Sequence, residues 1–222
     1  MAINRPYAGP GELPAVLPLF PLEGALLLPR SQLPLNIFEP RYLAMVDAAI
    51  AGSRLIAMIQ PEQPGDPSPS PKLVGVGCAG RITEFSESGD GRYFVTLTGV
   101  ARFRLAREIA VDTPYRQAEL DFTAFADDFT PDAGAGAVDR TALLRTLAAY
   151  LDANKLEVDW DNVKGAPNEA LVNGLAMMSP YGAREKQALL EARDLKTRAE
   201  MLIAITEMAL ARTVNEGDAP LQ

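Results

Sequence analysis

Leucine crowds residues 16–35, VLPLFPLEGALLLPRSQLPL, but Pro18, Pro21, Pro29 and Pro34 cut the run. Each proline removes an N–H donor and pushes its predecessor toward extended backbone, so the stretch cannot be one helix. It predicts short strands over 16–20 and 24–28, the first an edge or irregular strand because it contains Pro18. The period then changes. Over 39–50 the apolar residues Tyr42, Leu43, Val46, Ala49 and Ile50 recur at spacings of three and four, the signature of one helical face. Pro40 suits the first turn of that helix, and Glu39 complements its positive end. The compact run LIAMI within 54–60 predicts a strand, and PEQPGDPSPSPK at 61–72 predicts an exposed loop.

Strands are expected at 73–78, 79–86 and 92–97, the last two joined through Ser88-Gly89-Asp90-Gly91, whose residues suit a hairpin turn. In GVARFRLAREI, residues 99–109, alternation places Val100, Phe103 and Leu105 inward and puts Arg102 and Arg104 on the side opposite Phe103. A further strand pair spans 107–120, interrupted near Thr113-Pro114. Beyond it the texture shifts. Residues 122–139 are acidic and rich in alanine and glycine, a bridge whose front part, 122–129, can still pack. Helical spacing follows over 140–156, from Pro167 to Met178, and through 179–212, where the start lies at Ser179-Pro180 or at Ala183. The order predicts an α+β chain: a β domain with one short helix at 14–120, a helical bundle at 121–212, and a frayed tail at 213–222.

Composition narrows the functional classes. A chain of 222 residues with 48% hydrophobic content can bury a core without a metal or disulfide staple. The lone Cys78 cannot form an internal disulfide, no signal-peptide core is visible, and no apolar run approaches the roughly 20 residues of a membrane span. A cytoplasmic protein without a membrane partner is expected. The formal charge of −8 is concentrated in the C-terminal half, which disfavours general phosphate-backbone binding.

No histidine occurs, which removes the commonest acid–base group, the Ser-His-Asp and Cys-His arrangements and the imidazole metal ligands together. Cys78 alone builds no zinc site and reads as a buried thiol. Gly75-Val76-Gly77 and Cys78-Ala79-Gly80 complete neither GxGxxG nor a P-loop; close strand packing or a bulge accounts for them. Lys155, Lys164, Lys186 and Lys196 read as surface charges. The acidic groups Asp127-Asp128 and Asp159-Trp160-Asp161 show no convergent geometry. No catalytic, cofactor or metal site is therefore assigned. The dense junction Ile37-Phe38-Glu39-Pro40-Arg41-Tyr42 reads as scaffold, with Phe38 anchoring it, Glu39 capping and Arg41 pairing with a carboxylate; the other reading is an aromatic and arginine rim of a recognition groove. Phe38, Glu39, Arg41, Tyr42, Arg102 and Phe103 are the candidate groove residues.

Several phrases occur together and in order: LPLFPLEGALLLP (17–29), LPLNIFEPRYLAMV (33–46), GVGCAGRI (75–82), DGRYFVTLTGVARFRL (90–105), PYRQAEL (114–120) and EKQALLEARDLKTRAEMLI (185–203). In them the chain resembles the N-terminal substrate-binding domain of the ATP-dependent Lon proteases, in its free-standing bacterial form, over residues 14–210. It departs from the family's proline-glycine turn in having Pro29-Arg30. The resemblance implies a PUA-like, six-stranded pseudo-barrel followed by a helical bundle, and no ATPase or protease chemistry. It further implies a non-enzymatic protein that binds a polypeptide or unfolded segment in a cleft where the two parts meet, with delivery to a separate protease and the oligomeric state left open. The alternatives are RNA binding through the PUA-like part, with Arg102, Arg104 and Arg107 on phosphates, and a small hydrolase using unrecognised carboxylates or serine.

Overall fold

The computed structural model describes residues 5–217. Its elements run β1 (Val16–Pro21), β2 (Gln32–Ile37), α1 (Pro40–Ala51), β3 (Leu55–Ile59), β4 (Val76–Glu87), β5 (Tyr93–Ile109), β6 (Gln117–Asp121), α2 (Arg140–Ala153), α3 (Trp160–Gly165), α4 (Asn168–Met178), α5 (Ala183–Glu191) and α6 (Leu195–Gly217). Two compact units result. One holds the described residues of Met1–Pro131 together with Pro180–Leu190, the other Asp132–Ser179 and the described residues from Glu191 onward. The expected tail at 213–222 begins inside α6 and, past Gly217, lies outside the described residues.

The α+β class holds, with one correction. The strands lie in the order β2-β5-β4-β3-β1-β6, and among the described residues β2 pairs with β5 alone, so the six strands do not close into the expected pseudo-barrel: the sheet ends at β2. The 17-residue β5 is the organiser. Its first part pairs with β2 and β4, and from Arg104 to Ile109 it pairs with β6, with a register shift between Leu105 and Arg107 inside that pairing. A strand at 24–28 does not form. Leu26, Leu27 and Leu28 are buried there without ladder partners, and the strand lies instead at Gln32–Ile37. Pro34 lacks a ladder donor, and its strand takes the terminal place that such a residue tolerates.

Close backbone approach explains two of the strand glycines. A side chain at Gly77 would meet the Met58 carbonyl oxygen at 2.3 Å and the Phe103 ring at 2.4 Å; one at Gly99 would meet the Leu28 carbonyl oxygen at 2.0 Å. The turn docked at Gly99 is the one carrying Pro29-Arg30. Arg30 adopts φ 64, the left-handed region that glycine enters most easily, and its N–H donates to the Gly99 carbonyl at 2.8 Å. Arginine thus keeps the turn that the Pro29-Arg30 departure put in question, and its guanidinium donates to the Asp128 carbonyl.

The core of the first unit gathers Leu17, Leu19, Leu55, Ala57, Ala101, Phe103 and Phe122, with the Phe103 and Phe122 rings edge to face at 6.1 Å. Cys78 is buried beside it. Helix α5 joins this unit through polar bonds: Lys186 donates to the Gly24 carbonyl at 3.0 Å, and Gln187 to the Val76 carbonyl at 3.1 Å.

In the second unit α6 packs on α2 and α4. Asp139 caps α2 by accepting from the Ala142 N–H, and Asp159 caps the short, unanticipated α3. The Arg140 guanidinium donates to the Val163, Lys164 and Ala166 carbonyls and to the Asn168 side chain at 2.7–2.9 Å, holding the end of α3 against the start of α4. Charge-assisted bonds of this kind are worth about 1.5–3 kcal/mol each. Replacing Arg140 by Ala is therefore expected to destabilise this unit by about 2 kcal/mol or more, read as an earlier Trp160 fluorescence transition in urea. An unchanged transition would mean that the four bonds contribute nothing net.

Candidate functional site

The terminal position of β2 sets up the most accessible apolar surface of the first unit. β2, β5 and β4 lie side by side with Asn36, Phe94 and Ser86 in one row, and Pro34, Thr96 and Glu84 in the next aligned row. In a pleated sheet residues two apart share a face, so these six side chains form one patch. A shallow depression of about 430 Å³ lies over them and also touches Leu35 and Phe85. Thr96 donates to the Glu84 carboxylate at 2.8 Å, which leaves the patch polar at one end. At the other end Phe94 is 50% exposed; Phe85, in the next row with Val95 and Leu35, lies on the opposite face, 42% exposed and edge-on to Tyr93 at 5.0 Å. Phe38, immediately after β2, is 62% exposed, and the Arg92 guanidinium lies 6.0 Å from its ring centre. Large exposed phenylalanines concentrated on one stretch of sheet are unusual, because burying each ring would gain about 1.5–3 kcal/mol. The arrangement offers apolar contacts next to a strand whose outer edge carries no ladder partner.

The candidate residues taken from the sequence do not converge on one groove. Phe38 is exposed and does not anchor its junction. Glu39 makes no side-chain cap and pairs instead with Arg41 at 2.9 Å. Arg41 lies over the Tyr42 ring at 4.5 Å, and Tyr42 packs into the interior 4.5 Å from Phe20. Burial raises the Tyr42 phenol pKa against the opposing pull of Arg41, so the phenol stays neutral. Arg41 and Arg116 also reach the 61–72 loop, donating to the Pro69 and Pro71 carbonyls at 3.4 and 2.8 Å.

Phe103 is core. Arg102, expected to face outward, is only 3% exposed. Its Nε and Nη2 donate to the two Asp128 carboxylate oxygens at 2.9 and 2.8 Å, and its Nη1 donates to the Leu190 carbonyl at 3.1 Å. The Phe125 ring closes the stack at 4.5 Å. Arg107 forms an exposed pair with Glu119, while Arg104 is exposed 5.9 Å from the Phe125 ring. These three arginines therefore present no common phosphate surface: one is interior and one is matched to a carboxylate. The acidic groups are likewise occupied, Asp128 in its ion pair and Asp159 in its cap. Among the described residues no cluster of three or more Cys, Asp or Glu side chains could hold a metal ion, and no helix is long and apolar enough to cross a membrane.

Sequence reasoning missed the β2–β5–β4 patch. Its signal was the alternation in QLPLNI, which the two prolines in LPRSQLP obscured, together with Phe94 and Phe85 on either side of the SGDG turn.

Comparisons with known proteins agree on the relationship. Residues 16–207 match the model of the ATP-dependent protease La (LON) substrate-binding domain. Lon protease 2 of Sorangium cellulosum is 28% identical over 196 residues, 85% of this chain, and Lon protease 2 of Myxococcus xanthus is 25% identical over 199 residues, 87% of this chain. The chain spans 24% of the length of each of these relatives. Among solved structures, the Lon N-terminal domain protein from Xanthomonas campestris is 26% identical with a TM-score of 0.57, covering 85% of this chain and 97% of its own. The N-terminal domain of Mycobacterium avium complex Lon protease shares the fold, with a TM-score of 0.65 at 18% identity over 86% of this chain and 98% of its own. With a match that covers most of its length, the chain belongs to the LON substrate-binding domain family.

Proposed function

We propose that this chain is a non-catalytic polypeptide-binding protein that holds extended or unfolded segments along the outer edge of β2, with apolar side chains of the segment toward Phe94 on one face of the sheet and toward Phe85 on the other. The observation that carries the reading is the coincidence of a terminal strand, paired on one side only among the described residues, with a half-exposed phenylalanine on each face of the adjoining strands. A strand added to such an edge gains main-chain hydrogen bonds whatever its sequence, and neighbouring apolar positions select the side chains. The family description, a substrate-binding domain, supports the same class of partner. The reading places the chain in the cytoplasm, in keeping with its single, buried Cys78, and leaves the ATPase and protease activities with the longer relatives.

Both rings can be removed without opening the core, because both are largely solvated. The Phe85→Ser, Phe94→Ser double variant is expected to melt within about 1 °C of the parent, as surface changes usually do, and to bind fluorescein-labelled, reduced and carboxymethylated lactalbumin at least tenfold more weakly. A tenfold loss is about 1.4 kcal/mol, modest for two aromatic contacts. Unchanged affinity in the folded double variant would remove the β2 edge as the binding surface.

A further inference from the structure

A second concavity of the first unit, about 330 Å³, lies on the sheet where β4 and β5 carry Arg81, Thr83, Thr98 and Val100, and Phe129 and Pro131 complete its wall. Most of this wall is apolar. Its polar groups are few and fixed: the Thr83 and Thr98 hydroxyls are 2.9 Å apart, and Arg81 is only 8% exposed. A slot with apolar walls and a few oriented polar groups is the usual form of a ligand site.

The slot is roofed by the chain itself. The segment 5–7 crosses it as an extended peptide: Arg81 Nη1 donates to the Arg5 carbonyl at 2.8 Å, and the Arg81 guanidinium stacks 4.4 Å from the centre of the Tyr7 ring. Tyr7 and Pro6 both line the cavity, yet they do not fill it. Tyr7 packs, partly buried, against the core of the unit, and the Ala8 N–H donates to the Glu12 carboxylate at 2.9 Å; the rest of the attachment is slight. Pro6 has no N–H to give, and the Arg5–Glu12 ion pair is 3.7 Å long with its arginine 75% exposed, a geometry that contributes little in water. The roof precedes residue 16, where the family match begins.

We propose that the Arg81 slot is a docking site for an extended polypeptide that presents a backbone carbonyl two residues before an aromatic side chain, and that residues 5–7 occupy it in cis. The roof displays the recognition chemistry directly. A guanidinium has five N–H donors in a planar fork, enough to bind a carbonyl while its face stacks on an aromatic ring. A competing segment with the same two features takes the same place, and the tethered roof then acts as a weak internal competitor that sets a threshold on binding. The inference rests on the polypeptide-binding reading only for the class of partner, since it uses a different surface from the β2 edge.

The test uses a synthetic peptide of residues 1–8, MAINRPYA, titrated into the isotopically labelled chain and into a variant lacking those eight residues. Saturable shifts of the Thr83, Thr98 and Val100 amides are expected in the truncated variant, with binding at least tenfold weaker in the full chain, where the cis segment competes. The shifts should vanish when the peptide carries Tyr7→Ala, or when the protein carries Arg81→Gln. If truncation prevents folding, Tyr7→Ala in the full chain empties the ring position while keeping the segment, and the parent peptide should then bind this variant more tightly than the unaltered chain. Absence of saturable shifts at millimolar peptide in a folded, roof-free variant overturns the proposal, as does equal affinity with and without the roof. The Phe85→Ser, Phe94→Ser variant should bind MAINRPYA normally once truncated, so loss of lactalbumin binding there and loss of peptide binding at Arg81 are separable results.

Discussion

Replacing Asp128 by Ala is expected to cost about 3–5 kcal/mol of stability, because it removes the carboxylate that pairs with the buried Arg102 guanidinium through both its oxygens. The carboxylate receives three bonds from Arg102, including one from its backbone N–H, and these fix residues 123–129 against β5. The same guanidinium holds the end of α5 through the Leu190 carbonyl. Removing the acid thus loosens two attachments at once. In urea unfolding followed by circular dichroism, the midpoint should fall with little change in slope. Removing both charges is the informative control. Arg102→Met with Asp128→Leu should recover most of the loss, since a buried ion pair replaced by apolar groups of similar volume is often neutral or better. An Asp128→Ala protein as stable as the parent would show that Arg102 reaches water, which the burial described above denies.

Gly99→Ala should be more damaging than its single added methyl suggests. That methyl would lie 2.0 Å from the Leu28 carbonyl oxygen and 2.7 Å from the carbonyl carbon. Ordinary overpacking costs about 1–3 kcal/mol because side chains can turn aside. Here the obstruction is main chain, held by the Arg30 N–H to Gly99 carbonyl bond at 2.8 Å and the Gly99 N–H to Ser31 carbonyl bond at 2.9 Å. Relief requires breaking that docking, which frees the buried Leu26–Leu28 segment. Insoluble expression, or an unfolding free energy lowered by more than about 3 kcal/mol, is the expected outcome. Gly89→Ala in the exposed turn, where an added methyl meets nothing within 4 Å, is the matched control and should be nearly silent.

Elements governed by local chemistry were legible in the sequence. Pro40 begins α1, LIAMI forms β3, SGDG turns the hairpin between β4 and β5, and Gly77 and Gly80 of GVGCAG mark close packing. What escaped depended on partners distant in the chain. Alternation in VARFRL could not distinguish Arg102 from Arg104, because the difference lies in residues 123–129 covering β5 at one and leaving the other exposed. The available clue was the acidic pair Asp127-Asp128 between aromatic residues in FTAFADDF, a place where one acid can face a buried cation. β2 was hidden because Pro34 argues against a strand in general but tolerates one at a sheet margin. The candidate groove residues were also separated by the fold: Arg41 stacks on Tyr42, but Phe38 is exposed apart from them and Arg102 and Phe103 are buried.

Pro34 also limits how firmly β2 can grip anything. With no amide hydrogen at its midpoint, the strand offers an incoming chain only short runs of donors on either side, too few for a long-lived zipper. Two copies meeting edge to edge face the same gap twice, which guards against fibrous self-stacking. The surface is thereby suited to brief, repeated sampling of many sequences instead of lasting retention of one.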